Sequence, residues 1–246
     1  VVEGPSLSQH ADLVCQHETA DSGAVMEATY AVALASTISS GRRELSSHRG
    51  LVYGLSQLCT TADRPVSRWS TLALGCLSMI QQVRQEAIDR DKATSLIQSI
   101  FPLLSGEDSL AKTYACLAMG NLAVEADARR SIIDDPSVFS ALRNSIHSTS
   151  ELTQRYSVGA LRNLAVNKRG RDVIIHDDKA MQQLKNLCSS PDSATAAYAQ
   201  AASENLEIAR SRWKFAMSGA AHGAPDAVSD PQHPSADESP SDDGSS

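Results

Sequence analysis

Rings are scarce in this 246-residue chain: three Phe, five Tyr and two Trp make up only 4% of it. A thick core filled by aromatic side chains is therefore excluded, and the 41% apolar content must pack as small and aliphatic groups, as it does between thin layers of helices. The five cysteines, at 15, 59, 76, 116 and 188, are odd in number, widely spaced and never in a C-x-x-C pair. That rules against a disulfide framework and against the common zinc and redox motifs. Cys59, Cys76 and Cys188 fall within or at the end of apolar helical patterns, where a thiol packs as a small hydrophobe, and this points to a reducing compartment. No apolar run approaches the roughly 20 residues that span a bilayer. Period-two alternation is absent, and so are Asn-Gly and Asp-Gly hairpin turns, which leaves no basis for a sheet.

A basic surplus is missing too. The net charge is −7, and Asp226, Asp230, Asp237, Glu238, Asp242 and Asp243 lie beyond Ala216 with no Lys or Arg among them. Setting those six aside leaves 23 acidic residues against 22 basic in the first 215. A nearly neutral body argues against nucleic acid as the partner. No glycine loop cradles phosphate, since GRRELSSHRG lacks the Lys-Ser/Thr ending. His176-Asp177-Asp178 reads as a solvated turn, and His147 as a helix-end residue facing the macrodipole. The expected catalytic residues, metal ligands and cofactors are accordingly none. The chain starts Val1-Val2 without Met and enters a repeat partway through, which reads as a fragment of a longer protein.

What the chain does have is an internal repeat. Tyr156-Ser157-Val158-Gly159-Ala160-Leu161-Arg162-Asn163-Leu164-Ala165 is preceded 42 residues earlier by the run opening at Tyr114 and followed 42 later by the run opening at Tyr198. Weaker copies open at Trp69 and Tyr30, giving an aromatic register of 30, 69, 114, 156 and 198. A period near 42 marks a solenoid of two or three helices per unit. Read in order, helices are expected at 6–17, 23–39, 66–80, 84–89, 93–104, 126–134, 137–146, 151–166, 171–176, 180–188 and 193–208, with shorter pieces over 41–64. Pro65 fits a first turn, and Ser109 is placed to cap the helix that follows it. Past the final helix, Pro225, Pro231, Pro234 and Pro240 among Ser, Asp and Gly make a segment too polar to offset its ordering entropy. The organisation read from this is a solenoid over 1–217 and a disordered acidic Ser/Pro-rich tail over 218–246, with Ser239-Pro240 its clearest phosphorylation candidate.

The runs GALRNLA (Gly159–Ala165) and AMGNLA (Ala118–Ala123), with Arg129-x-x-Ile132-Ile133 and Arg171-x-x-Ile174-Ile175 before the short second helices, closely resemble an armadillo repeat. The resemblance covers about Ser6 to Ile208, strongest in the last three units. It implies an all-α, right-handed α-solenoid of about five repeats, the first incomplete, whose third helices line a concave groove. Asn121, Asn163 and Asn205 then form the ladder that holds a partner segment, with Arg162, Lys168 and Arg210 beside it; in the first two units Thr37 and Cys76 stand in the asparagine's place. An asparagine there has a second use, tying neighbouring repeats through their backbone. In importin-α a tryptophan precedes each ladder asparagine by four residues, whereas Leu117, Gly159 and Ala201 stand here, so the style is nearer to β-catenin, plakophilins and vacuolar armadillo proteins.

Basic residues recur just past the ladder, at Arg42, Arg43, Arg84, Arg129, Arg130, Arg171 and Arg212 among others. Facing the groove they would favour an acidic segment; the preferred reading is that they cap the preceding helix end. The implied function is a non-catalytic scaffold or adaptor. Its expected partners are proteins or peptides, acidic ones included, with no nucleic acid. The chain itself is expected to be monomeric and cytoplasmic, or nuclear or membrane-peripheral through parts not in it. The alternative is the regulatory or targeting module of a larger enzyme, such as a ubiquitin ligase, a kinase or a small-GTPase regulator.

Overall fold

The computed structural model describes residues 5–88 and 92–217, with side chains at 5–87 and 96–207. Among the described residues there is no strand. The helices run in chain order as α1 (Leu7–Cys15), α2 (Ser22–Ser36), α3 (Ser39–Ser46), α4 (Leu51–Leu58), α5 (Arg64–Leu77), α6 (Gln81–Ile88) and α7 (Lys92–Ser105). They continue as α8 (Ser109–Leu122), α9 (Ala126–Asp134), α10 (Pro136–Asn144) with a 3-10 turn at Ser145–His147, α11 (Glu151–Leu164), α12 (Lys168–Ile175), α13 (Asp178–Leu187) and α14 (Ser193–Met217). One compact unit spans Val1–Arg210; the second, Ser211–Ser246, contributes only the end of α14 to the described residues. The expected tail at 218–246 lies outside them.

These helices group as a pair, α1 and α2, followed by four triplets ending in α5, α8, α11 and α14. Each third helix packs on the next, α2 on α5, α5 on α8 and α8 on α11, so the architecture is an all-α solenoid. The core is the continuous seam that the composition requires. Leu55, Leu77, Ile100, Ile132, Leu142, Ile146, Leu161, Leu164 and Ile174 are among its fully buried large side chains, and Ala28, Ala33, Ala73, Ala115, Ala160 and Ala202 are fully buried beside them. Each buried Leu or Ile contributes about 1.5–3 kcal/mol relative to its exposed state.

Polar side chains set both the ends of the helices and the joints between units. Asp108 caps α8 through Oδ1, which accepts the Leu110 and Ala111 N–H groups, while Oδ2 accepts from Arg68 of the preceding unit at 2.7 Å. Asp135 caps α10 and takes Gln98 on its other oxygen. Asp177 caps α13 and pairs with Arg143 at 2.7 Å. Asp192 accepts the Thr195 N–H and both arms of Arg155. Each of these four cap aspartates therefore also links two repeats, so that the local signal and the tertiary joint coincide there. Two expectations are corrected here. The cap of α8 is Asp108 and not Ser109, because a carboxylate can serve the cap and the Arg68 pair at once. Asp177 likewise is a cap and a joint, not part of a solvated turn.

The recurring arginines settle the repeat register. Arg42 Nη1 donates to the Ser36 and Thr37 carbonyls, Arg84 to Ser78 and Met79, Arg129 to Ala123 and Val124, and Arg171 to Ala165 and Val166. In every unit the first helix thus staples the C-terminus of the preceding third helix, satisfying carbonyls that the helix leaves open. The steps are 42, 45 and 42, not the 39 expected between the first two units. Tyr30 is consequently equivalent to Leu72, Leu117 and Gly159, one turn beyond the aromatic position that Trp69 and Tyr114 occupy. The place of the ladder asparagine in α2 falls to Leu34 instead of Thr37. Tyr30 invited the misalignment as an aromatic heading a similar run; in the structure its ring meets Trp69 edge-on, centroids 5.2 Å apart at 67°.

Candidate functional site on the third-helix face

Asn121 and Asn163 come from the same position on α8 and α11, and each reaches back one unit. Nδ2 of Asn121 donates to the Gly75 carbonyl at 2.9 Å, and Nδ2 of Asn163 to the Gly120 carbonyl at 2.9 Å. Tying repeats together is therefore one thing these asparagines do. It leaves on Asn121 one N–H and the carbonyl oxygen uncommitted among the described residues, a donor and an acceptor of the kind an extended main chain can use. Asn205 is half-buried on α14 and makes no counterpart of that bond among the described residues. In α5 the position is taken by Cys76, which is buried, and in α2 by Leu34, which is exposed.

Around Asn121 and Asn163 the face opens into a cavity of about 130 Å³. Tyr156 of α11 and Tyr198 of α14 wall it, and Gly120 and Gly159 lie in its lining. Gly159 is the position four residues before Asn163. A Cβ there would come within 3.3 Å of the Tyr198 ring, so the ring of the next unit occupies the space a side chain would fill. Burial pushes the Tyr156 phenol up from its usual range, so it is a neutral donor at physiological pH. Arg162 lies across the Tyr198 ring with its guanidinium carbon 4.9 Å from the centroid, a cation–π distance. Its Nε and Nη2 donate to Oδ1 of Asn163 at 3.2 and 2.9 Å.

The sequence-derived set is thus placed in four ways, with Asn205 apart from the lining of the cavity. Asn121, Asn163 and Arg162 converge on one cavity. Lys168 is exposed at the first residue of α12, away from that lining. The side chain of Arg210, like that of Trp213, lies outside the described residues. Sequence reasoning missed Tyr156 and Tyr198 as lining groups, although their shared register was visible, because it treated the aromatic position as a marker of the repeat and not as a surface.

A larger cleft of about 410 Å³ opens between the α4–α5 and α7–α8 turns, near Thr60, Arg64, Pro102 and Glu107. Its chemistry is committed elsewhere: Asp108 is held by Arg68 and by the α8 cap, and the Cys59 thiol is pushed up to about 12 by burial, far from a reactive thiolate. Among the described residues no group of His, Cys, Asp and Glu could hold a metal ion, and no helix is long and apolar enough to cross a membrane.

No protein-family model matches the chain, and neither does any curated protein. Solved structures do. The designed armadillo repeat protein YIII(Dq)4CqI superposes with a TM-score of 0.68 at 22% identity, over 81% of this chain and 82% of that one. The designed armadillo repeat protein YIII(Dq.V1)4CPAF, in complex with the peptide (KR)4, gives 0.64 at 22% identity over 81% of each chain. UNC-45 from Drosophila melanogaster gives 0.61 at 16% identity over 84% of this chain and 28% of its own. At these identities the likeness establishes the fold, an armadillo-type solenoid.

Proposed function

We propose that this chain is a non-catalytic interaction scaffold that holds segments of partner proteins along the face of its third helices. The observation that carries the reading is the convergence of Asn121, Asn163, Tyr156 and Tyr198 on one open cavity made by three consecutive units. Uncommitted amide groups can bond a peptide main chain, and the two phenol rings offer rigid amphipathic surface of the kind that anchors interfaces. A designed protein of the same fold was solved with a bound peptide, which supports a peptide as the ligand class. In α2 the equivalent surface is apolar, with Met26, Tyr30 and Leu34 exposed at four-residue spacing. The face therefore offers a continuing segment apolar contacts at one end and hydrogen bonds at the other.

The test is selection of peptides from a random display library on the full chain, followed by replacement of Tyr156 and Tyr198 by Ser together. Selected peptides are expected to lose at least tenfold in affinity while far-UV circular dichroism stays unchanged. Peptides that bind the double variant as well as the parent would remove this face from the account.

A further inference from the structure

Eight arginines of the described side chains are half-buried: 42, 68, 84, 129, 143, 155, 162 and 171. Taking a guanidinium out of water is costly unless its charge is met, and seven of the eight meet that demand in one of two ways. Arg68, Arg84, Arg143 and Arg155 pair with carboxylates at 2.6–2.8 Å. Arg42, Arg129 and Arg171, together with Arg84, cap the carbonyl ends of third helices. Arg162 does neither. Among the described residues it has no carboxylate within ion-pair distance, and its only acceptors are the neutral Asn163 amide oxygen and the face of Tyr198. Those two contacts fix the planar group in one orientation and leave three of its five N–H donors for another ligand.

Its surroundings show what that ligand is. The guanidinium borders the cavity that Asn121 and Tyr156 also line, so three sets of donors converge on it: free arginine N–H groups, an amide N–H and a phenol. The cavity's volume, about 130 Å³, is roughly four times a water's share of the liquid, room for the tip of a carboxylate side chain. A lysine of a basic segment is disfavoured twice, because Arg162 already covers the Tyr198 face where an ammonium would stack and its charge repels a second cation. The recurring arginines Arg42, Arg84, Arg129 and Arg171 are spent on helix ends, in line with the preferred reading of them as caps. The charged residue in the lining of the cavity is Arg162.

Resting on the scaffold reading above, we infer that Arg162, held by Asn163 and Tyr198, is an acid-selective subsite that takes an Asp or Glu side chain of the bound partner segment. A bidentate arginine–carboxylate contact formed there would complete the one half-buried guanidinium among the described residues that has neither a carboxylate nor a helix end.

The experiment uses the full chain and three fluorescein-labelled octapeptides followed by anisotropy at low salt: alternating Glu-Asp, alternating Lys-Arg and alternating Ser-Ala. The acidic peptide is expected to bind tightest. Its affinity should fall at least tenfold in Arg162→Gln and less in Arg162→Lys, and Arg162→Glu should exchange the preference for the basic peptide. Arg162 bridges no two repeats by hydrogen bond, so all three variants are expected to keep the parent's circular dichroism spectrum. Tighter binding of the basic peptide by the parent, or an acidic affinity unmoved by Arg162→Gln, overturns the inference. Library-selected peptides that need Tyr156 and Tyr198 but show no enrichment in Asp or Glu overturn it while sparing the scaffold reading; no peptide selected at all defeats the scaffold reading first. Acidic binding that appears only once the six acidic residues beyond Ala216 are changed to amides would make the occupant this chain itself, and would overturn the assignment to a partner.

Discussion

Replacing Arg84 by Met tests whether the recurrent arginines are staples of the solenoid. Methionine keeps much of the apolar stem, so the change isolates the guanidinium. Three contacts are lost: Nη1 to the Ser78 and Met79 carbonyls, at 3.1 Å each, and Nε to Oε1 of Glu125 at 2.8 Å. The arginine side chain is 12% exposed and its carboxylate partner 24%, so these contacts are only partly screened. Hydrogen bonds to charged groups contribute about 1.5–3 kcal/mol each. Water can reach the freed carbonyls at the helix end and the freed Glu125, which returns roughly half of that. A net loss of about 2–4 kcal/mol follows, or a fall in Tm of about 5–15 °C for a chain of this size. The companion Arg162→Met loses two bonds to a neutral amide one residue away and a ring contact, and is expected to cost about 1 kcal/mol or less. Urea unfolding followed by far-UV circular dichroism, with both variants beside the parent, measures the difference directly. Equal destabilisation by the two would refute the division of the arginines into structural staples and one groove residue, and with it the ground for assigning Arg162 to a ligand.

Three further outcomes follow from other parts of the molecule. The Asp192 carboxyl is held well below the usual carboxylate range by its hydrogen bonds from Arg155 and then Thr195; its stabilising contribution is therefore present above pH 4 and lost as pH falls through the depressed value. Asp192→Asn should make the parent's loss of stability between pH 4 and pH 2 shallower, as read from denaturant midpoints at each pH. Burial pushes the Cys59 and Cys116 thiols up to about 12, so neither should react with an aromatic disulfide reagent in the native chain, whereas all five thiols should react in urea. Ile174→Ala, at a fully buried seam residue of α12, should cost about 2–5 kcal/mol. Because units couple only to their neighbours, hydrogen exchange in that variant should quicken over α12 to α14 more than over α1 to α5.

Much of the fold was legible because one periodicity carries it. Helices α9 and α11 begin where the pattern places them: Ser148, Thr149 and Ser150 break the chain before α11, Ser150 capping it, and apolar residues at three- and four-residue steps mark the buried stripes. The register of the first unit was not legible. Tyr30 imitates the aromatic position at Trp69 and Tyr114, and only the paired Arg42 and Arg84 staples, whose partners are main-chain carbonyls six and five residues back, reveal the true step. The asparagine ladder shows the same limit from the other side. Its spacing is written in the sequence, but the carbonyl each amide reaches, Gly75 for Asn121 and Gly120 for Asn163, lies 46 and 43 residues away, and no local pattern names it.

That limit bears on how a repeat protein acquires a binding surface. The solenoid constrains most positions of each third helix twice, once by its own triplet and once by its neighbour, and residues there recur because the packing recurs. The units diverge at the edge of the contact with the neighbour, where a Cβ on Gly75 would meet Leu117 and one on Gly120 would meet Ala160. At the place of Arg162 the equivalent residues in α2, α5, α8 and α14 are Ala33, Gly75, Gly120 and Glu204. Three are small enough to let the next helix approach, and the fourth is an exposed acid. A cation at that one unit caps no helix and meets no carboxylate of its own chain among the described residues; its link to the next unit is the face of the Tyr198 ring. Substituting Gly at position 162, as α5 and α8 already carry, should leave the stack standing, at about the 1 kcal/mol that glycine costs inside a helix, and should abolish the preference for the acidic octapeptide. A collapse of the fold in Arg162→Gly would instead place that residue among the joints.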